Sequence, residues 1–204
     1  MVRLMIRTEP FPHIIWDNFL SEDKLNSVVK EFPDKDSHLW TWKSNDKNSI
    51  KYMCQDSELI LSLHSITKVI RYLNSEYFCS VLSSMFEIPD LKSDICLAGG
   101  GLHMIGQGGF LRVHADFNQA DSMPGYHRRL NLILYLSDDW KKDYNGSLEL
   151  WDTNLTSPQV EIEPIKNRLI CFNTQPDGDV IAYHGHPKPL QIPSGVYRKS
   201  IALY

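Results

Sequence analysis

The sequence has no apolar run approaching the roughly 20 residues that a bilayer-spanning helix needs, so no membrane span is expected. Its first residues, 1–7, hold too short an apolar stretch for a secretory signal and no small-residue cleavage site, which predicts a cytoplasmic protein. Cysteine is scarce. Cys54, Cys79, Cys96 and Cys171 form no Cys-x-x-Cys pair and no zinc-finger spacing, and they read as reduced thiols. Positive charge is not in excess: 21 Lys and Arg against 25 Asp and Glu give a net charge of -4, so no nucleic-acid partner is expected. No Lys-Ser or Lys-Thr follows Gly99-Gly100-Gly101, which excludes a phosphate loop and leaves a close strand approach or a bulge. Repeats and low-complexity tracts are absent as well. What remains is an ordinary globular composition over 204 residues, with 42% apolar and 23% charged residues, and one domain over 1–204 is the expectation.

The chain changes character near residue 94. Before it the pattern is mostly helical, a support region over 1–93. A short strand near 11–17 leads to a helix with Ser21 as N-cap, Glu22 and Asp23 in the first turn, and Leu25, Val28, Val29 and Phe32 at helical spacing before Pro33. A polar stretch over 34–50 predicts a long loop or irregular strand. Asp56 or Ser57 caps a second helix along Leu59, Leu63, Ile66 and Ile70, and a third runs from about Ser75 to Phe86, closed by Pro89. After residue 94 the helical period disappears. Short β-branched and apolar segments at 95–105, 110–115, 130–136, 147–151, 159–163, 168–172, 180–184 and 196–203 alternate with turn formers. The expectation is a mainly β core, a sandwich or closed barrel, with helices packed on the outside of one sheet.

Chemistry concentrates in this second half. In Val113-His114-Ala115-Asp116 an imidazole and a carboxylate stand at i and i+2, hence on one face of a strand. A second histidine from another strand would complete a facial triad of two His and one carboxylate, a set that suits Fe(II) and leaves adjacent positions open. Tyr183-His184-Gly185-His186-Pro187 offers two candidates; the small Gly185 and the strand-ending position favour His184 over His186. Arg198 and Ser200 again share a face, and a guanidinium beside a hydroxyl suits a carboxylate. The charges balance: Fe(II) with Asp116 leaves +1, a dianionic 2-oxo acid takes this to -1, and Arg198 restores neutrality.

Together these motifs resemble the Fe(II)/2-oxoglutarate-dependent oxygenases, and more closely their prolyl 4-hydroxylase-like branch. Gly106-Gln107-Gly108-Gly109 before the His-x-Asp is similar to that branch's glycine-rich approach. The run 130–140, followed by Asn145-Gly146-Ser147-Leu148-Glu149-Leu150, is similar to its Tyr-Leu-Asn…Trp…Gly-Gly-Glu-Leu segment. The resemblance covers roughly 95–204. It implies a double-stranded β-helix, or jelly roll, and Fe(II) held by His114, Asp116 and His184. It implies 2-oxoglutarate clamped by Arg198 with Ser200 and Tyr135, and ascorbate as an optional addition. The implied reaction is hydroxylation of an unactivated C–H bond with release of succinate and CO2. The implied partners are 2-oxoglutarate, dioxygen and an unidentified prime substrate, peptidyl proline or a small molecule.

The chain departs from the pattern at Ser147, in place of a second glycine, and at Met104, ten residues before His114, where a tyrosine is frequent. About ten residues, 118–128, are inserted after the His-x-Asp. These changes fall on the substrate side. The polar segments 34–50 and 117–128 are long enough to predict a lid over the open coordination position, with Trp40 and Trp42 as a candidate substrate wall. His103 and His127 are alternative ligands of a cupin-type metal site, or otherwise core and loop residues. Two other functions remain open on the residues alone: a non-catalytic jelly-roll binding module, against which the full ligand set argues, and a cupin-type metalloenzyme without 2-oxoglutarate, against which Arg198 and Ser200 argue.

Overall fold

The computed structural model describes residues 5–46, 49–94, 96–117 and 124–204. Eleven strands and four helices follow in the order β1 (His13–Trp16), α1 (Glu22–Glu31), β2 (Trp42–Asn45), β3 (Ile50–Cys54), α2 (Ser57–Leu61), α3 (His64–Leu73), α4 (Glu76–Phe86), β4 (Gly101–Ile105), β5 (Leu111–His114), β6 (Leu130–Tyr135), β7 (Leu148–Trp151), β8 (Pro158–Ile162), β9 (Leu169–Asn173), β10 (His184–His186) and β11 (Arg198–Leu203). They form a seven-stranded sheet, β1-β9-β6-β11-β4-β3-β2, and a four-stranded sheet, β5-β10-β7-β8, with every strand pairing antiparallel. From β4 onward the chain crosses repeatedly between the two sheets, as a jelly roll requires.

The helices form where the pattern places them, with one exception. Ser21 is extended at the start of α1, Glu22 and Asp23 occupy its first turn, and Leu25 and Val28 are its buried face. Ser75 caps α4 by accepting from Phe78 N, and Glu87 ends it in a left-handed conformation. The expected helix over 57–70 is two. Asp56 caps α2, Leu63 turns extended, and α3 starts afresh. The free N–H groups of Ser65 and Ile66 donate to the Glu31 carboxylate, at 2.6 and 2.9 Å, so a side chain from α1 caps α3. The 34–50 stretch is not loop throughout, since it contains β2, which forms a hairpin with β3.

Strand parity divides the large sheet into two faces. Met104, Leu132, Leu134, Leu169, Cys171 and Ile201 point outward and pack with Ile66, Leu73, Phe78 and Leu82 of the helices. The inward face contributes Tyr135, Ile170 and Phe172 to a second cluster with Leu148, Leu150 and Ile162 of the small sheet. The glycine run does allow close strand approach. A Cβ on Gly101 would lie 2.0 Å from the Cys54 carbonyl oxygen, and one on Gly100 2.6 Å from that of Ala202. One inward row crosses the sheet from Met53 through His103 and Ser200 to Tyr135.

Candidate active site

His114 ends β5, Asp116 follows two residues on, and His184 opens β10 directly opposite His114 in the strand pairing. One ligand atom from each lies within 4.8 Å of the others, a group able to hold a metal ion. The Nε2 atoms of His114 and His184 stand 3.5 and 3.7 Å from the two Asp116 oxygens. Each imidazole is fixed by its other nitrogen. His114 Nδ1 lies 2.9 Å from the Arg112 carbonyl oxygen and His184 Nδ1 3.0 Å from that of Ala182. A carbonyl only accepts, so each Nδ1 carries the proton and each Nε2 presents a lone pair. Three acceptors facing one another at this spacing lack a donor between them, and a divalent cation supplies what the set lacks. This donor chemistry fits the iron that the motif implies.

The electrostatics keep the set in its ligating form. Burial lowers the His184 pKa to about 4 despite the opposing charge of Asp116. Burial alone would raise the Asp116 carboxyl, but its neighbours His114, His184 and Arg128 outweigh it and hold the group well below the usual range. Phe172 stacks edge-on against His184, with ring centroids 4.6 Å apart. Asn131 donates to Asp116 Oδ2 at 3.0 Å. The motif reading passed over this residue, although a lone amide in the apolar run 130–135 is its signal.

His186 does not join the group. The pairing of β10 with β5 slips between the two histidines, so that His184 faces His114 while His186 faces Leu111. His186 is 3% exposed and both its ring nitrogens lack a partner among the described residues. His103 also stands outside the ligand group, on the inward row, where burial and the charge of Lys51 push its pKa down to about 3. His127 is exposed. Met104 packs among the helices, so the inward position beside it belongs to His103.

Arg198 is 5% exposed and pairs with no carboxylate among the described residues. It donates from Nε to the Gly146 carbonyl at 2.9 Å and from Nη2 to Tyr135 Oη at 3.0 Å, with its guanidinium over the Tyr135 ring. Three of its five N–H groups are left over. Burial raises the Tyr135 pKa, so the phenol keeps its proton and can donate in turn. Ser200, 2% exposed, lies next to Tyr135 in the strand pairing. A Cβ on Gly146 would come within 2.5 Å of Leu190 and 3.3 Å of Arg198 Cδ, so this glycine makes room for Leu190 and the arginine stem. The departure at Ser147 leaves that position intact.

Trp40 is buried against Phe32 and Tyr52 and belongs to the core, whereas Trp42 is 42% exposed on β2. Of the expected lid, residues 47–48 and 118–123 lie outside the described residues. No helix among the described residues is long and apolar enough to cross a membrane.

Known proteins are similar to this chain. The chain is 29% identical over 173 residues to prolyl 3-hydroxylase OGFOD1 of Mus musculus, a match covering 82% of this chain but 29% of that protein's length. A prolyl-4-hydroxylase of Pseudomonas putida superposes with a TM-score of 0.65 at 16% identity, covering 94% of this chain and 90% of the other. The viral collagen prolyl hydroxylase of Paramecium Bursaria Chlorella virus-1, solved as a 2OG complex, gives 0.57 at 16% identity, covering 94% and 93%. At that identity the superpositions establish the jelly-roll fold. The model of the 2OG-Fe(II) oxygenase superfamily matches residues 100–204, the half of the chain that holds the ligand set and Arg198, and the chain belongs to that superfamily.

Proposed function

We propose that this protein is an Fe(II)- and 2-oxoglutarate-dependent hydroxylase whose prime substrate is a prolyl residue in a peptide. In this reading His114, Asp116 and His184 hold the iron, and Arg198 with Tyr135 and Ser200 holds the distal carboxylate of 2-oxoglutarate. The observation that carries it is the pairing of two unmet demands near one another, both within electrostatic reach of Lys51: a triad of acceptors with no donor between its atoms, and a buried cation that pairs with no carboxylate among the described residues. Either alone is an ordinary structural cost; together they match a divalent metal chelated by a dicarboxylate. The prolyl assignment draws on the relatives, of which one is a prolyl 3-hydroxylase and others prolyl 4-hydroxylases.

The bound iron would supply oxygen activation, coupled to oxidative decarboxylation of 2-oxoglutarate. The balance is R–H plus 2-oxoglutarate plus O2 giving R–OH, succinate and CO2. The chain's own residues orient the reactants. The Nδ1 hydrogen bonds of His114 and His184 fix the ligating nitrogens, Asn131 fixes Asp116, and Arg198 and Tyr135 fix the co-substrate's far end. Four free cysteines, two of them buried, support a reducing, cytoplasmic setting; secretion of the protein would count against it.

The test is succinate release that requires both Fe(II) and 2-oxoglutarate, followed by mass analysis of a proline-containing peptide set for a gain of one oxygen. Loss of succinate release in Asp116→Ala is expected. Undiminished release in that variant, or release without added metal after chelation, would refute the assignment.

A further inference from the structure

Lys51 lies on β3 two residues before Met53, and therefore on the same, inward face. Met53 pairs with His103 and His103 with Ser200, so Lys51 stands on the sheet face that also carries His103, Ser200 and Arg198. The residue is half-buried. The charges acting on it are Asp116, which favours its protonation, and Arg198, which opposes it, while burial disfavours the charged form most. Lys51 in turn disfavours protonation of His103 and His186. It thus lies within electrostatic reach of both the ligand set and the guanidinium.

Lys51 forms no ion pair among the described residues. Ser44, its partner across the hairpin, is engaged with Ser49 instead. The contact found for Nζ is the ring of Trp42, 5.8 Å away, which is itself exposed at the rim. The charge count explains why this matters. Fe(II), Asp116, Arg198 and a dianionic 2-oxo acid sum to zero. Lys51 then leaves one positive charge in partly desolvated surroundings, beside an exposed aromatic ring, with no carboxylate among the described residues paired to it.

We propose that Lys51 sets substrate specificity by pairing with a carboxylate of the prime substrate, so that the preferred substrate is an acidic prolyl peptide lying across the β2–β3 hairpin against Trp42. This rests on the dioxygenase reading above. The exposed indole beside the ammonium gives an extended chain an apolar surface next to the charge, and a peptide rather than a small acid follows from the prolyl assignment above.

The test is calorimetric titration of the full chain loaded with Mn(II) and 2-oxoglutarate. The probes are two capped peptides, Gly-Glu-Glu-Pro-Glu-Glu-Gly and the same sequence with Gln for every Glu. The Glu peptide is expected to bind about tenfold more tightly at low salt, the scale of a partly desolvated ion pair. In Lys51→Met the ratio should fall within about twofold, and Lys51→Glu should favour a third peptide with Lys at those positions. Equal binding of the Glu and Gln peptides to the wild type, no binding of the Glu peptide, or a ratio that survives in Lys51→Met would each overturn the proposal. Succinate release with Fe(II) in parallel samples separates the two readings. Discrimination without succinate release removes the reaction and keeps the carboxylate site, and release without discrimination does the reverse.

Discussion

Replacing Arg198 by Met should uncouple co-substrate binding from the stability of the free protein. Two effects oppose each other before any ligand binds. Met fills much of the arginine stem and removes a buried cation that pairs with no carboxylate among the described residues, which is a gain. It also gives up the bonds to the Gly146 carbonyl and to Tyr135 Oη, each worth about 1.5–3 kcal/mol from a charged donor. The net change should stay within about 2 kcal/mol. Binding behaves differently. The distal carboxylate of 2-oxoglutarate, deprived of three free N–H donors, would be left buried beside one phenol and one serine hydroxyl. Truncating one partner of such a pair costs about 2–5 kcal/mol, or roughly 30-fold to 4,000-fold in Kd.

Thermal unfolding with Mn(II), with and without 2-oxoglutarate, reads both effects. At a ligand concentration one hundred times the wild-type Kd, binding adds about 2.7 kcal/mol, and a 30-fold weaker site at the same concentration adds under about 1 kcal/mol. For a chain of this length each kcal/mol is about 2–4 °C of Tm. The wild-type shift of about 5–10 °C should therefore shrink to a third or less in Arg198→Met, while the ligand-free Tm moves little. Arg198→Lys should recover part of the shift, since a point charge replaces a planar fork. An undiminished 2-oxoglutarate shift in Arg198→Met would falsify the placement of the carboxylate at this residue.

Asn131→Leu should weaken Mn(II) binding about tenfold to a hundredfold by freeing Asp116, as outer-shell partners of metal ligands do, and unchanged affinity in a metal titration would exclude that role. Gly146→Ala meets Leu190 and the arginine stem at a φ of +75°, so both Tm and 2-oxoglutarate affinity should fall; a variant that keeps its affinity would show that the seat of Arg198 tolerates bulk. Glu31→Gln keeps an acceptor but loses the charge at the start of α3, and Glu31→Ala loses both hydrogen bonds; denaturant titration should show a loss of about 0.5–2 kcal/mol for Ala and less for Gln. His103, pushed to about 3 by burial and then by Lys51, is neutral in the fold and protonates more readily when unfolded. Its contribution is complete above the unfolded value near 6.5 and is lost as pH falls toward 3, at up to about 1.4 kcal/mol per pH unit. His103→Gln should flatten that slope, and parallel curves for the two proteins would contradict the assignment.

How much of this was legible in the sequence follows from how far each interaction reaches along the chain. Strand parity is local, so His114 with Asp116, and Arg198 with Ser200, could be placed on common faces from spacing alone. The helices could be read for the same reason, because their caps and stripes lie within one turn of each other. The break between α2 and α3 could not, since the carboxylate that caps α3 comes from Glu31 on another helix, 34 residues before Ser65. Nor could the choice between His184 and His186 be made by parity, because both share it; a slip in the pairing with β5 puts one opposite His114 and the other opposite Leu111. Lys51 is the strongest case. In the sequence it sits at the end of a polar stretch and reads as a solvated cation. Only the pairing of β3 with β4, about fifty residues away, puts it on the face of His103 and leaves its charge to be answered by a guest.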